Sequence, residues 1–150
     1  MTSQSSKDVL NVKLDEGATL PTRAHETDAG LDLYASDWVL LQPQEHSLVP
    51  TGISVEIPVG HVGLVFIRSG FSIKTGATLT NSVGVIDAEY RGELKVPLMN
   101  HSPHDTLTVR QGARIAQMLI VPIATPKVVE VQELGQTGRG TGGFGSTGVS

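Results

Sequence analysis

Thr51-Gly-Ile-Ser-Val-Glu-Ile-Pro58 alternates apolar and polar residues at every step from Ile53 to Ile57. A period of two is the signature of a strand with one face buried and one wet. Thr51-Gly52 opens it and Pro58 closes it, so the strand is short and punctuated. The same style continues on both sides. Upstream, Val9 to Leu14, Leu31 to Tyr34, Trp38 to Leu41 and Ser47 to Val49 read as strands broken by Ser, Asp and Gln-Pro. Downstream come Val62 to Ile67, Leu79-Thr80, Val85-Ile86, Leu94 to Leu98, Leu107 to Val109, Ile115 to Val121 and Val128 to Val131. About a dozen short strands with turn signals between them predict an all-β sandwich, barrel or jelly roll. Helical periodicity is weak. Arg114 to Ile120 is its best candidate, but β-branched residues and Val121-Pro122 favour a strand there. A single helical turn is expected near Ser69 to Thr75.

Composition supports this reading. The chain has 150 residues, 39% hydrophobic and 17% charged, which suits one folded domain. Aromatic residues are only 4%, against 17 glycines and 8 prolines, as expected of many strands joined by turns. With no cysteine, disulfides and sulfur-held zinc are excluded. A net charge of −4 argues against a broad nucleic-acid footprint. The leader Met1 to Lys7 is polar, and no apolar run approaches the length of a membrane span. The expectation is a cytoplasmic protein with no nucleic-acid or membrane partner. Residues 1–134 are read as one β domain. Residues 135–150, nearly all Gly, Ser and Thr, are read as a flexible C-terminal arm.

Five short stretches carry polar groups of chemical interest. In the arm, Gly138 to Gly148 lacks the Lys of a Walker loop and the following helix of a dinucleotide fold. Its glycine amides, hydroxyls and Arg139 can still nest a phosphate, although a disordered end is the plainer reading. Arg68-Ser69-Gly70 ends a strand, where an arginine fork can take a phosphate beside a hydroxyl and an amide. Gly84-Val-Ile-Asp-Ala-Glu-Tyr-Arg-Gly92, after Thr80-Asn81-Ser82, sets Asp87 three residues before Tyr90; a turn with a core tyrosine is the bland alternative. Asp28-Ala-Gly-Leu-Asp-Leu33 puts two acids four apart, enough to touch a metal or simply to flank a turn. In Arg114-Ile-Ala-Gln117, strand alternation sets Arg114 with Ala116 and Ile115 with Gln117. The five histidines show no ligand spacing.

Taken in order, these stretches resemble the five motifs of the trimeric dUTPases, from Asp28 to Gly148. The resemblance implies a jelly-roll-like β domain with a Gly-rich C-terminal arm, assembled as a homotrimer with active sites at subunit boundaries. It implies hydrolysis of dUTP to dUMP and pyrophosphate, which clears dUTP from the DNA precursor pool and supplies dUMP for dTMP synthesis. Asp87 is the expected general base. Asn81, Gly84 and Ile86 are expected to read uracil from a hairpin, and Tyr90 to lie under the deoxyribose. Lys95 is placed with the substrate-binding set. Arg68, Ser69 and Gly70 are expected on the phosphates, joined by Arg139, Gly145, Ser146 and Thr147 of the arm, with Phe144 stacking on the base. Mg2+ is the expected cofactor, bridging triphosphate oxygens, with Asp32 and Gln117 reaching it or the attacking water through bound waters. The chain departs from the family at Ile67, where proline is usual, and at Phe71-Ser72, where Leu-Ala is commoner. A dCTP deaminase on the same fold needs a proton-shuttling Glu at the base, and Glu89 stands beside the sugar-side Tyr90 instead. A nucleotide-responsive binding protein is the rival from another class.

Overall fold

A computed structural model describes residues 9–148, so the polar leader expected at Met1 to Lys7 lies outside the described residues. The chain runs β1 (Asn11–Leu14), β2 (Leu31–Tyr34), β3 (Val39–Leu41), β4 (His46–Pro50), β5 (Ile53–Glu56) and β6 (His61–Ile67). It continues α1 (Ser69–Thr75), β7 (Thr78–Leu79), β8 (Gly84–Ile86), β9 (Lys95–Met99), β10 (Leu107–Val109) and β11 (Arg114–Pro122). The fold is all-β and jelly-roll-like, with one short helix where a helical turn was expected.

Every pairing is antiparallel, and no two strands consecutive in the chain pair with each other among the described residues. One sheet has the order β2-β11-β6-β8, another β4-β9-β7, and two ribbons join β1 to β5 and β3 to β10. The chain therefore crosses between sheets at each step. Side chains alternate inward and outward along each strand, so the facing sheets bury Leu33, Leu41, Val49, Ile53, Val55, Val96, Leu98, Val109, Ile115 and Met118 between them. Each such side chain contributes about 1.5–3 kcal/mol relative to exposure. Asn100 is buried too, and its amide donates to the carbonyls of Leu41, Gln42 and Asp105, which offsets its desolvation.

Three local features differ from simple sequence reading. Val128 to Val131 forms no strand; Val128 is 94% exposed and Val129 65%. A strand needs a neighbouring backbone, and this segment finds none among the described residues. The stretch from Asn81 to Tyr90 is not a hydrogen-bonded hairpin of its own. Its strand β8 pairs with β6 in one sheet, and the chain then turns through Asp87–Gly92 to β9 in the other. Finally, β11 carries a bulge against β2 between Arg114 and Ala116. The extra residue resets the alternation. Ile115 and Ala116 are both fully buried, while Arg114 and Gln117 share the opposite side with Asp32. Strict alternation had separated Arg114 from Gln117.

Candidate active site

The expected residues fall into two clefts and an arm. The first cleft lies where β8 and the turn after it meet β9. It is lined by Leu48, Val85, Ile86, Asp87, Tyr90, Glu93, Leu94 and Lys95. An adjoining hollow adds Asn81 and Gly84 against Leu33, Val65 and Leu79. β8 is the edge strand of its sheet, so one row of its backbone amides and carbonyls has no partner strand among the described residues. Asp87 follows directly and is exposed. Its carbonyl accepts the Tyr90 amide at 3.1 Å, which closes a turn, and both side chains line the same cleft. The Tyr90 hydroxyl donates to the Glu93 carbonyl at 3.0 Å, fixing the ring from its far end. Arg91 braces the same turn by donating to the Ala88 carbonyl at 2.7 Å.

The second cleft is polar. Asp28, Gly30, Asp32, Arg68, Ser69 and Gln117 line it together with Ala24 and Ala29. Asp32 stands on β2 directly opposite Gln117 on β11. Its carboxylate, with a side chain only 12% exposed, takes Arg68 Nε at 2.8 Å and Arg114 Nη1 at 3.5 Å. Two guanidiniums share one acid, which holds Arg68 in place. Gly30 belongs to the same contact: a Cβ there would clash with Gln117 Oε1. Among the described residues no cluster of three or more His, Asp or Glu exists that would cage a metal. Asp32, already engaged by arginines, and the neutral Gln117 fit a hydrated metal brought in by an anionic ligand better than a bare ion.

The arm is exposed and folds as a run of turns. Gly140 donates to Thr137, Gly142 to Arg139, Ser146 to Gly143 and Gly148 to Gly145. Arg139 Nε donates to the Gly142 carbonyl at 2.7 Å, inside the arm itself. Phe144 is fully exposed, in the left-handed region at φ 47°.

The sequence-derived set is thus brought together in parts. Asp87, Tyr90, Lys95, Asn81, Gly84 and Ile86 meet at the first cleft; Asp32, Arg68, Ser69 and Gln117 meet at the second. The two clefts share no lining residue. Gly70, exposed on α1, lines neither, nor do Arg139, Phe144, Gly145, Ser146 and Thr147. Leu48 and Glu93 in the first cleft, and Arg114 beside Asp32, were not singled out as site residues. Leu48 arrives through the pairing of β4 with β9, which leaves no mark on the sequence; Arg114 heads a stretch of interest, but its place beside Asp32 depends on the bulge. Glu93 had one clue, a charge two residues before Lys95 on the same strand approach.

A carboxylate and a tyrosine line one cleft, and two arginines flank an acid at the other, groups of the kinds that an enzyme acting on a phosphorylated nucleoside can use. The comparisons agree. The dUTPase family model matches residues 16–148. The deoxyuridine 5'-triphosphate nucleotidohydrolase of Nocardia farcinica is 50% identical over 136 residues, 91% of this chain and 82% of that protein. The Corynebacterium jeikeium protein of the same name is 49% identical over 141 residues, covering 92% and 91%. Staphylococcus bacteriophage 80alpha dUTPase, solved with dUPNHPP, superposes with a TM-score of 0.87 at 36% identity, covering 95% of this chain and 99% of that one. A variant dUTPase of the S. aureus phage phi11, whose structure details coordination of a structural Mg(II) ion, gives 0.78 at 34% identity, covering 83% and 97%. The chain belongs to the dUTPase family.

Proposed function

We infer that this chain hydrolyses dUTP to dUMP and pyrophosphate, with Asp87 as the general base. The observation that carries the mechanism is the setting of Asp87: exposed at the end of an edge strand, in one cleft with Tyr90. Uracil presents acceptor, donor and acceptor along its pairing edge. The free backbone row of β8 near Gly84 and Ile86, with the Asn81 amide, complements that order. Cytosine would leave buried groups unpaired, at a cost of about 1–3 kcal/mol for each. Tyr90 lies under the deoxyribose and leaves no space for a 2′-hydroxyl. Asp87 orients a water near the sugar and takes its proton as oxygen attacks the α-phosphorus in line. Pyrophosphate departs opposite.

The triphosphate needs cations, and those near Asp87 within one chain are few. Arg68 with Ser69 and Gly70 is the natural grip, held by Asp32. Because this grip lines a separate cleft, a full site is best served by a homotrimer whose subunit boundaries join one subunit's first cleft to another's second. The arm then closes over the substrate, Arg139, Gly145, Ser146 and Thr147 adding phosphate contacts and Phe144 covering uracil. For that, Arg139 exchanges its own Gly142 carbonyl for phosphate oxygen. Mg2+ carried on the triphosphate would neutralise charge on its oxygens, and Asp32 and Gln117 would hold its waters. The activity belongs in the cytoplasm, where it clears dUTP from the DNA precursor pool and supplies dUMP for dTMP synthesis.

Pyrophosphate release from dUTP, dCTP, dTTP and UTP, measured side by side with Mg2+ present, tests this reading. Release from dUTP alone is expected. Ammonia from dCTP, or no turnover of dUTP by folded protein, rejects it.

A further inference from the structure

The first cleft contains two carboxylates and one ammonium, and only one of the carboxylates is paired. Lys95 Nζ lies 3.7 Å from Glu93 Oε2, whereas Asp87 forms no ion pair among the described residues. All three residues line the same cleft. Glu93 is not free to move. Its other oxygen, Oε1, accepts the Gly52 amide at 3.0 Å. That amide is itself fixed: Gly52 has φ 65°, and a Cβ there would come within 2.7 Å of the Ala18 Cβ. The adjoining backbone is tied to the same turn. Leu94 donates to the Ile53 carbonyl at 2.8 Å, and the Thr51 hydroxyl donates to the Leu94 carbonyl.

The Glu93 side chain is 28% exposed and that of Lys95 48%. A partly shielded carboxylate bonded to a backbone amide is a stationary counter-ion. A lysine on a flexible stem goes where the nearest anion is fixed. If that anion were Asp87, the ammonium would occupy the lone pairs that must face water.

We propose that Glu93 is a positioning residue that keeps the Lys95 ammonium on itself and off Asp87, so that Asp87 stays open to the attacking water. The proposal deepens the reading of Asp87 as base and rests on it for its kinetic consequence, though not for its structural one. Lys95 on Glu93 then stands at the rim of the cleft, available to substrate without competing for the base.

The test uses Glu93→Gln, Lys95→Met and the double variant, with crystal structures, turnover and binding of dUPNHPP. Glutamine keeps an acceptor for the Gly52 amide and removes the charge. In Glu93→Gln, Lys95 Nζ is expected to move to within about 4 Å of the Asp87 carboxylate, an ion-pair distance. Turnover of dUTP is expected to fall about tenfold, while the Kd of dUPNHPP changes less than about threefold. Adding Lys95→Met to Glu93→Gln is expected to raise turnover back to the level of Lys95→Met alone. A merely structural glutamate would leave the double variant as slow as Glu93→Gln, which overturns the proposal. So does a Glu93→Gln structure in which Lys95 stays away from Asp87. Asp87→Asn, measured in parallel, separates the two ideas: retained turnover there removes Asp87 as base, while the position of Lys95 in Glu93→Gln still decides the role of Glu93.

Discussion

Asp87 and Asp32 are the same residue type in opposite circumstances. Asp87 stands exposed at the end of β8 with no ion pair among the described residues; Asp32 lies on β2, nearly buried, between two guanidiniums. A carboxylate whose lone pairs are already taken by Arg68 and Arg114 makes a poor base and a good anchor. One left open beside a tyrosine can work on water. On the proposed reading, the first cleft carries the chemistry and the second places charge. It also explains why the residues spread over distant stretches of sequence: the two tasks require different surroundings.

The sharpest way to break the comparison is Asp87→Asn. Turnover is expected to fall about 10³-fold, the scale of a lost general base, with dUPNHPP binding retained by calorimetry. Near-normal turnover would end the distinction. Removing residues 138–150 is expected to slow hydrolysis on the order of 100-fold, as loss of charge-stabilising donors does. Its melting temperature should hardly move, because the arm buries no core side chain among the described residues; unchanged activity would make the arm a mere tail. Asp32→Asn is expected to reverse the emphasis. Chemical denaturation should show a loss of about 1.5–3 kcal/mol, the worth of charged hydrogen bonds, whereas Asp87→Asn should stay within about 0.5 kcal/mol of the parent. Equal stability losses would mean that the two acids are not so different. The smallest effect is expected of Phe144→Ala, a rise of about tenfold in the KM for dUTP from lost stacking on the base, with no change in thermal stability.

Most strands were legible because their alternation is local. Ile53 to Ile57 announces a buried face by alternation, and Val62 to Ile67 a strand by its short apolar run, without reference to anything else in the chain. The helical turn at Ser69 to Thr75 likewise ends where Gly76 adopts φ 70°. Val128 to Val131 carries the same local signal and forms no strand, since pairing depends on a neighbour that the segment itself cannot specify. The membership of each cleft was only half legible. Asp87 and Tyr90 share a turn, so their proximity is written in their spacing. Arg114 reaches Asp32 because a bulge adds one residue to β11, and Glu93 matters because Gly52, some forty residues earlier, fixes its carboxylate. Register and crossovers between sheets decide such contacts, and neither is encoded within a short window.

The pattern of strand pairing also governs how the molecule is made. β2 waits for β11, and β3 waits for β10, so early segments emerge without their partners. Because β11 fills the middle of the four-stranded sheet, neither β2 nor β6 is completed until synthesis has passed Pro122. Contacts so distant along the chain make folding slow, and the apolar stripes of the early strands stay uncovered until the last strand has joined them.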